Sequence, residues 1–490
     1  MKHKMYSTKK SLIINAIFNF IKTFFTIVFP IITFAYASRV LGVEGIGKVS
    51  FAKSFSMYFS MIAMLGVNYY GTREAAKVRN NKDKLDEFAS ELIIINLIST
   101  IFSCVLLTIV TCLFDSLYDY RQLLLIFGIS VALSGMGLEW LYQALEEYRY
   151  IAIRSIIFQA MAIVLMLVLV KANTDVEEYA LICVFASSGS YVFNLVRARK
   201  LVNISAVSVK NIKRHMKPIF LLFAMAVSIE LYTVLDSTML GFICGDMVVG
   251  LYTSAIKVNK MVNTLITSLG VVMIPRLSYC LSHNEIDLAK KYMIKVYRVV
   301  FMLSIPASVG LACLSNQIIR IFSGESFSSA SYTMRLLTPI VIIIPFSIVT
   351  NLQIFIPMMK EKYILISTCS GAVTNIILNV ILIPRFAENG AAISTIIAEL
   401  VVSIICVFNI KTIVPLSQIF YKIHQNIFAA IGVLIVCNIC QQQLRNDFVC
   451  IVTAVVLGTL IYFGVLLLLK NDVSEELFET MKGKFLKVNK

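Results

Sequence analysis

The chain has 490 residues, 58% hydrophobic and only 15% charged, with a mean hydropathy of +0.83. These values exclude soluble multidomain, disordered, collagen-like and coiled-coil classes and leave a polytopic membrane protein. The formal charge is +16, from 44 Lys and Arg against 28 Asp and Glu, and its meaning depends on where the cations sit relative to the membrane.

A membrane-crossing helix takes about 20 mostly apolar residues. Apolar runs bounded by charge predict fourteen of them, at 11–37, 49–70, 91–113, 123–145, 155–170, 179–196, 218–243, 249–274, 299–319, 336–356, 363–383, 390–410, 423–440 and 448–469. The expected fold class is an all-α polytopic membrane protein with two six-helix lobes and two C-terminal helices. The divisions fall at 1–205, 206–412 and 413–490, the last ending in a cytoplasmic tail.

The first run follows Lys2, Lys4, Lys9 and Lys10 and ends in Ala35-Tyr36-Ala37, which imitates a signal peptide with its cleavage site. At well over the roughly 7–15 residues of such a segment, it is expected to stay as the first helix. Helical spacing puts Asn15, Asn19, Lys22 and Thr26 in one stripe on that helix, and Ser50, Lys53, Met57 and Ser60 in another on the second. Glu139, beside Trp140 near the inner end of the fourth run, reads as interfacial. The stretch 197–217 is basic and ends at Pro218, which is expected to open the seventh helix.

That helix carries Glu230 and Asp236, and the eighth carries a third stripe of Thr253, Lys257, Lys260, Thr264 and Thr267. The eighth enters with Gly250-Leu251-Tyr252-Thr253-Ser254-Ala255, an echo of Gly47-Lys48-Val49-Ser50-Phe51-Ala52 at the second. Pro30, Pro306, Pro339 and Pro345 are expected to kink their helices. Glu399 lies in the twelfth run. The eleven cysteines lie almost wholly inside runs. Cys437 and Cys440 form a CxxC with neither a second pair nor a nearby His, so packing is expected there, with no metal site and no cofactor.

The tails and even-numbered connections hold 32 of the 44 cations and the odd-numbered connections hold 8. By the positive-inside rule both termini are cytoplasmic, and the connections near 44, 118, 175, 246, 325, 387 and 445 face outward. The basic runs are thereby orientation signals, and no nucleic-acid partner is expected. Four lysines remain inside the membrane: Lys22, Lys53, Lys257 and Lys260. A charge there costs about 2.5–3.5 kcal/mol even on the lenient insertion scale and ordinarily faces a cavity or a partner. At 1.5 Å per residue Lys22 and Lys260 lie near the midplane and Lys257 about 12 Å along its helix, whereas Lys53, about 6 Å in, is within reach of the surface. The three stripes predict a cationic polar cavity, lined also by Asn15, Asn19, Thr26, Thr253 and Thr264. Glu230, Asp236 and Glu399 are candidates for pairing with the lysines or for carrying a coupling cation.

Several blocks resemble a known family. Phe29-Pro30-Ile31-Ile32-Thr33-Phe34, Ser38-Arg39-Val40-Leu41-Gly42-Val43-Glu44-Gly45-Ile46-Gly47, Tyr70-Gly71-Thr72-Arg73-Glu74-Ala75-Ala76, Glu139-Trp140-Leu141-Tyr142-Gln143-Ala144-Leu145-Glu146 and Pro384-Arg385-Phe386-Ala387-Glu388-Asn389-Gly390-Ala391-Ala392 are similar to those of bacterial Wzx-type oligosaccharide (polysaccharide repeat-unit) flippases, in the multidrug/oligosaccharidyl-lipid/polysaccharide exporter superfamily. The chain departs from that pattern with Glu139 where Asp is common and Ala387 where Gly is frequent.

The resemblance implies a V-shaped fourteen-helix fold and alternating access for an undecaprenyl-diphosphate-linked oligosaccharide, in surface polysaccharide (capsule or O-antigen) biosynthesis at the bacterial cytoplasmic membrane. It implies a cavity with cations on the first, second and eighth helices, where Lys22, Lys53 and Lys257 or Lys260 stand in place of the more usual Arg. It also implies a lipid groove on the last two helices. Lipid-linked oligosaccharide and membrane lipids are the expected partners, with a polysaccharide polymerase and glycosyltransferases as candidates, and H+, Na+ or the membrane potential as drive. A MATE-like drug or cation antiporter on the same fold is the nearest alternative. A membrane polysaccharide polymerase is the alternative from another class, and it lacks the large outer loop or the His, Asp and Arg cluster it would need.

Overall fold

The computed structural model describes residues 9–203, 209–271, 277, 279–281, 283, 285–476, 478 and 479. Among them all regular structure is helical. The helices are α1 Lys9–Met64, α2 Val67–Val78, α3 Lys82–Leu113, α4 Arg121–Met136, α5 Glu139–Ala144, α6 Tyr148–Leu169, α7 Val176–Val184, α8 Tyr191–Leu201 and α9 Val209–Cys244. They continue as α10 Asp246–Val271, α11 Ile286–Cys313, α12 Ser315–Ser323, α13 Ala330–Leu337, α14 Ile340–Ile348, α15 Glu361–Ile410, α16 Leu416–Ile419, α17 Ile423–Gln443 and α18 Asp447–Leu468. By length and composition, nine helical stretches among the described residues could cross a membrane, or ten if the bent pair 330–355 is one crossing. The chain is an all-α polytopic membrane protein, and its contacts divide it into two compact units, residues 1–250 and 251–490.

The apolar runs fall on helices, but the breaks differ from the expected loops. The connections expected near 44 and 387 are single residues: α1 is interrupted at Gly42 (φ 70°, ψ −174°) and α15 at Ala387 (φ 48°, ψ −127°). Pro30 and Pro384 sit within helical turns, and positive-φ residues make the breaks. The expected helix 123–145 is divided at Leu138 (φ 49°), just after Gly137, so that Glu139 begins α5. Pro218 does not open a helix, because the chain is already helical from Val209. The basic stretch 197–217 is thus mostly helix, with the end of α8 and the start of α9 flanking residues 204–208, which lie outside the described ones.

In unit 1 the seam between α1 and α3 carries small hydroxyls: Ser99 Oγ donates to the Ala63 carbonyl (2.7 Å) and Ser103 Oγ to that of Phe59 (2.5 Å). In unit 2 Ser254 and Ser323 share a 2.5 Å bond, Ser347 and Ser403 one of 2.6 Å, and the Tyr297 hydroxyl reaches that of Thr350 at 2.7 Å. In lipid, where apolar contact between helices brings little net gain, small residues and such bonds are what hold helices together. The outward faces are apolar, with Ile98, Phe102 and Leu113 of α3 and Val380 and Leu460 of unit 2 all exposed.

Two of the similar blocks interlock. Trp140 of α5 is buried and lies over Gly71 of α2, where a Cβ would stand 2.8 Å from the indole ring. Arg79, at the end of α2, closes the joint by donating to the Ala144 carbonyl and to Glu146 (2.6 Å). The echoed glycines also meet: a Cβ on Gly47 would lie 1.8 Å from the Asp246 carbonyl oxygen, and one on Gly250 would lie 2.1 Å from that of Val43.

Candidate functional site

The polar stripe of α1 remains partly open in unit 1. Lys22 is half-buried, and Thr26, one turn on, is exposed, its hydroxyl bonded back to the Lys22 carbonyl (2.8 Å). Lys22 has a counter-ion that spacing did not reveal. Its Nζ donates to Glu139 Oε1 at 2.6 Å, and the Tyr191 hydroxyl donates to Glu139 Oε2 at 2.9 Å. The break at Leu138 is what places this acid inside the unit. The expectation that Glu139 is only interfacial is corrected: it sits 117 residues from Lys22 in sequence and 2.6 Å from it in space. Lys53, in the second half of α1, is exposed. The side chains of Asn15, Asn19 and Glu230 lie outside the described ones.

Beside the second stripe, unit 1 holds a cavity of about 480 Å³ lined by Met57, Ser60, Asn68, Thr72, Arg73 and Gln143 among others. Thr72 donates to the Asn68 carbonyl (2.8 Å) and to Gln143 Oε1 (3.3 Å), which joins the Tyr70 and Trp140 blocks at its floor. The cavity combines polar hydrogen-bonding groups with methionine walls. A sugar needs both, donors and acceptors for its hydroxyls and apolar surface for its ring faces.

In unit 2 the stripe of α10 behaves similarly. Thr253 and Lys257 are half-buried, while Lys260 and Thr264 are exposed, with the Thr264 hydroxyl bonded to the Lys260 carbonyl (2.8 Å). The other face of α10 is buried through Asn259, which reaches the Met334 carbonyl (3.3 Å), and Asn263. Asp236 in unit 1 and Glu399 in unit 2 are each buried. One buried polar cluster was absent from the sequence reading. Glu91 of α3 receives Arg214 (2.7 and 2.9 Å) and His215 (2.5 Å) from the start of α9, and His215 Nδ1 meets the Tyr70 hydroxyl at 2.8 Å. Glu91 stands at the edge of an apolar run and His215 inside a basic stretch, and neither position marks a pair 124 residues apart.

The family described as "Polysaccharide biosynthesis protein" matches residues 12–280, more than half of the chain. The chain belongs to that family. A second family, MatE, matches residues 221–381. Among curated relatives, a candidate O-antigen transporter of Shigella dysenteriae is 25% identical over 76% of this chain and 93% of its own. A candidate O-antigen transporter of Escherichia coli K12 is 24% identical over 77% and 92%. A candidate flippase, AglR of Haloferax volcanii, is 26% identical over 38% of this chain and 40% of its own. Of solved structures, lipid II flippase MurJ in an inward closed conformation superposes with a TM-score of 0.77 at 16% identity, over 94% of this chain and 99% of that one. An inward-facing MATE multidrug transporter reaches 0.62 at 16% identity, over 79% and 95%. The fold of this family member is therefore that shared by MurJ and the MATE transporters.

Proposed function

We propose that the protein is a flippase, a transporter without enzymatic chemistry, for a polysaccharide repeat unit carried on undecaprenyl diphosphate. It works in a bacterial cytoplasmic membrane with both termini inside and moves its cargo from the inner to the outer leaflet by alternating access of an N-terminal lobe (1–205) and a C-terminal lobe (206–412). The observation that carries this reading is the set of lysines on apolar helices that stay open in each unit, Lys22 and Lys53 in one and Lys257 and Lys260 in the other. Ammonium groups on such helices ordinarily face a cavity or a partner, and an anionic cargo is a partner that suits them. Lysine attracts a diphosphate as a point charge without a fixed fork, so the cargo is released at the far side. The names of the O-antigen transporter relatives support the glycan, and the Met57 to Gln143 cavity suits its sugars.

Net negative charge leaving a negative-inside cell gains about 2.3 kcal/mol per charge per 100 mV, so the membrane potential alone favours export. Asp236, Glu230 and Glu399 are the groups to carry H+ or Na+ if an ion is coupled. The MatE match favours a second reading, a drug or cation antiporter, which the surplus of intramembrane lysine opposes. The test is complementation of a strain lacking its own flippase. Lys22→Gln and Lys260→Gln are expected to lose surface polysaccharide while the proteins remain at normal level in the membrane. Normal polymer from both variants refutes the reading, and drug resistance conferred in its place selects the antiporter.

A further inference from the structure

Unit 1 carries a second opening, away from the lysine stripes. A groove of about 580 Å³ lies at the start of α6 and the end of α8, edged by Arg149, Arg154 and Arg197 with Glu147 as its one acid. Glu147 is taken up by Arg197, whose guanidinium also stacks 4.0 Å over the Tyr150 ring. Arg154 is only 7% exposed; it donates to Asn194, and its Nε is buried without a hydrogen-bond partner among the described residues. Among those residues neither Arg149 nor Arg154 has a carboxylate at ion-pair distance, and Glu139, which also feels Arg154, is already paired with Lys22, so the groove keeps a surplus of positive charge. The first-turn amides of α6 add to the same positive field. The remaining wall is apolar and open. Ile153, Ile157 and Phe193 are 43%, 50% and 58% exposed and run from the arginines along helices of membrane-crossing length.

A cationic end and an apolar open flank match the two halves of a lipid. We propose that this groove holds one anionic phospholipid of the surrounding bilayer, its phosphate against Arg149 and Arg154 and an acyl chain along Ile153, Ile157 and Phe193. The residue type separates this ligand from a transported one. Arginine grips phosphate in a rigid bidentate fork, which suits a resident molecule, whereas the open stripes use lysine. The charge distribution places these arginines on the basic side, where acidic lipids of the inner leaflet collect. This assignment stands apart from the transport reading and is tested without any flipping assay.

The full chain, purified in a neutral detergent, is titrated with dioleoylphosphatidylglycerol, dioleoylphosphatidylcholine or undecaprenyl phosphate, and bound lipid is counted by native mass spectrometry. Phosphatidylglycerol is expected to bind in preference to phosphatidylcholine and to be lost in molar salt. Arg149→Gln is expected to weaken it about fivefold, and Arg149→Lys, which keeps the charge but loses the fork, to weaken it less. Arg149 is exposed and outside the ion pairs, so the melting temperature of the lipid-free variant stays unchanged. Equal binding of the two phospholipids, or an Arg149→Gln variant that binds like the parent, overturns the proposal. Undecaprenyl phosphate displacing phosphatidylglycerol from the groove also overturns it, and makes the groove part of the transport route. If Arg149→Gln fails to fold, the lipid preference of the unsubstituted chain and its salt dependence still decide.

Discussion

Lys22 has a structural role through its pair with Glu139 besides the one proposed for it toward cargo. Its pair with Glu139 is part-buried, with the lysine side chain 27% exposed and the carboxylate 16%. Removing the lysine leaves a part-buried carboxylate with the Tyr191 hydroxyl and the more distant Arg154, and removing the acid leaves the lysine without its counter-ion. Each single truncation to Ala is expected to destabilise the protein by about 1–3 kcal/mol, and the double variant by less than the sum. A double-mutant cycle on thermal unfolding measures that coupling. The same cycle on polysaccharide export separates the two roles. If Lys22 meets cargo, Glu139→Gln, which keeps the lysine charged and present, retains more export than Lys22→Gln. Equal loss in the two assigns Lys22 to the pair alone. The stripe marks Lys22 but not its pairing, because an ion pair spanning 117 positions depends on how helices pack and on a backbone break at Leu138 that no hydropathy pattern marks.

Helix breaks in this chain rest on single residues, and the residue type decides what each costs. Gly42 takes φ 70° and ψ −174°, a region open essentially to glycine alone. Ala387 holds a comparable break at φ 48° with a Cβ in place. Strain at such a position amounts to about 1–3 kcal/mol, against about 0.5–1 kcal/mol of extra entropy cost for glycine. Ala387→Gly is therefore expected to raise the melting temperature, by about 1 kcal/mol of stability, and an unchanged or lowered value contradicts the strain. Gly47 gives the opposite case. A Cβ has no room against the Asp246 carbonyl, so Gly47→Ala is expected to cost about 3 kcal/mol or more. The echo between residues 47–52 and 250–255 looked like a trace of repetition. In the folded chain its two glycines are where one strip of backbone passes close to the other, which a sequence pattern alone does not distinguish.

At the scale of the whole chain, composition and apolar periodicity are enough for the helical membrane fold, since each crossing segment states its requirement locally in about 20 residues. What they miss are features created by chain folding back on itself: single-residue breaks at Gly42 and Ala387 where loops were expected, the helical start of α9 ahead of Pro218, and the buried Glu91, His215 and Tyr70 cluster beside it. That cluster also shows that part of the +16 serves packing, since Arg214 lies in a stretch expected to act as an orientation signal. Setting Arg214 aside leaves the charge bias intact, because 8 cations remain opposed to about four times as many. The exposed turn at 171–175 is its sharpest point. The Asp175 carboxylate there accepts the backbone N–H groups of Lys171 and Ala172, both at 2.8 Å, and those donors hold its carboxyl below the usual carboxylate range. With one lysine in the turn and a long basic stretch on the other side of α7 and α8, positive-inside bias puts 171–175 outside and 209–217 inside. Alkaline phosphatase, active only when exported, is expected to be active when fused after Thr174 and inactive when fused after Lys213. A fluorescent protein on the C-terminus, which matures only inside, is expected to be bright. Activity at Lys213 together with a dark C-terminal fusion would invert the molecule. The proposed phosphate-seeking lysines would then have to be rethought for import in place of export.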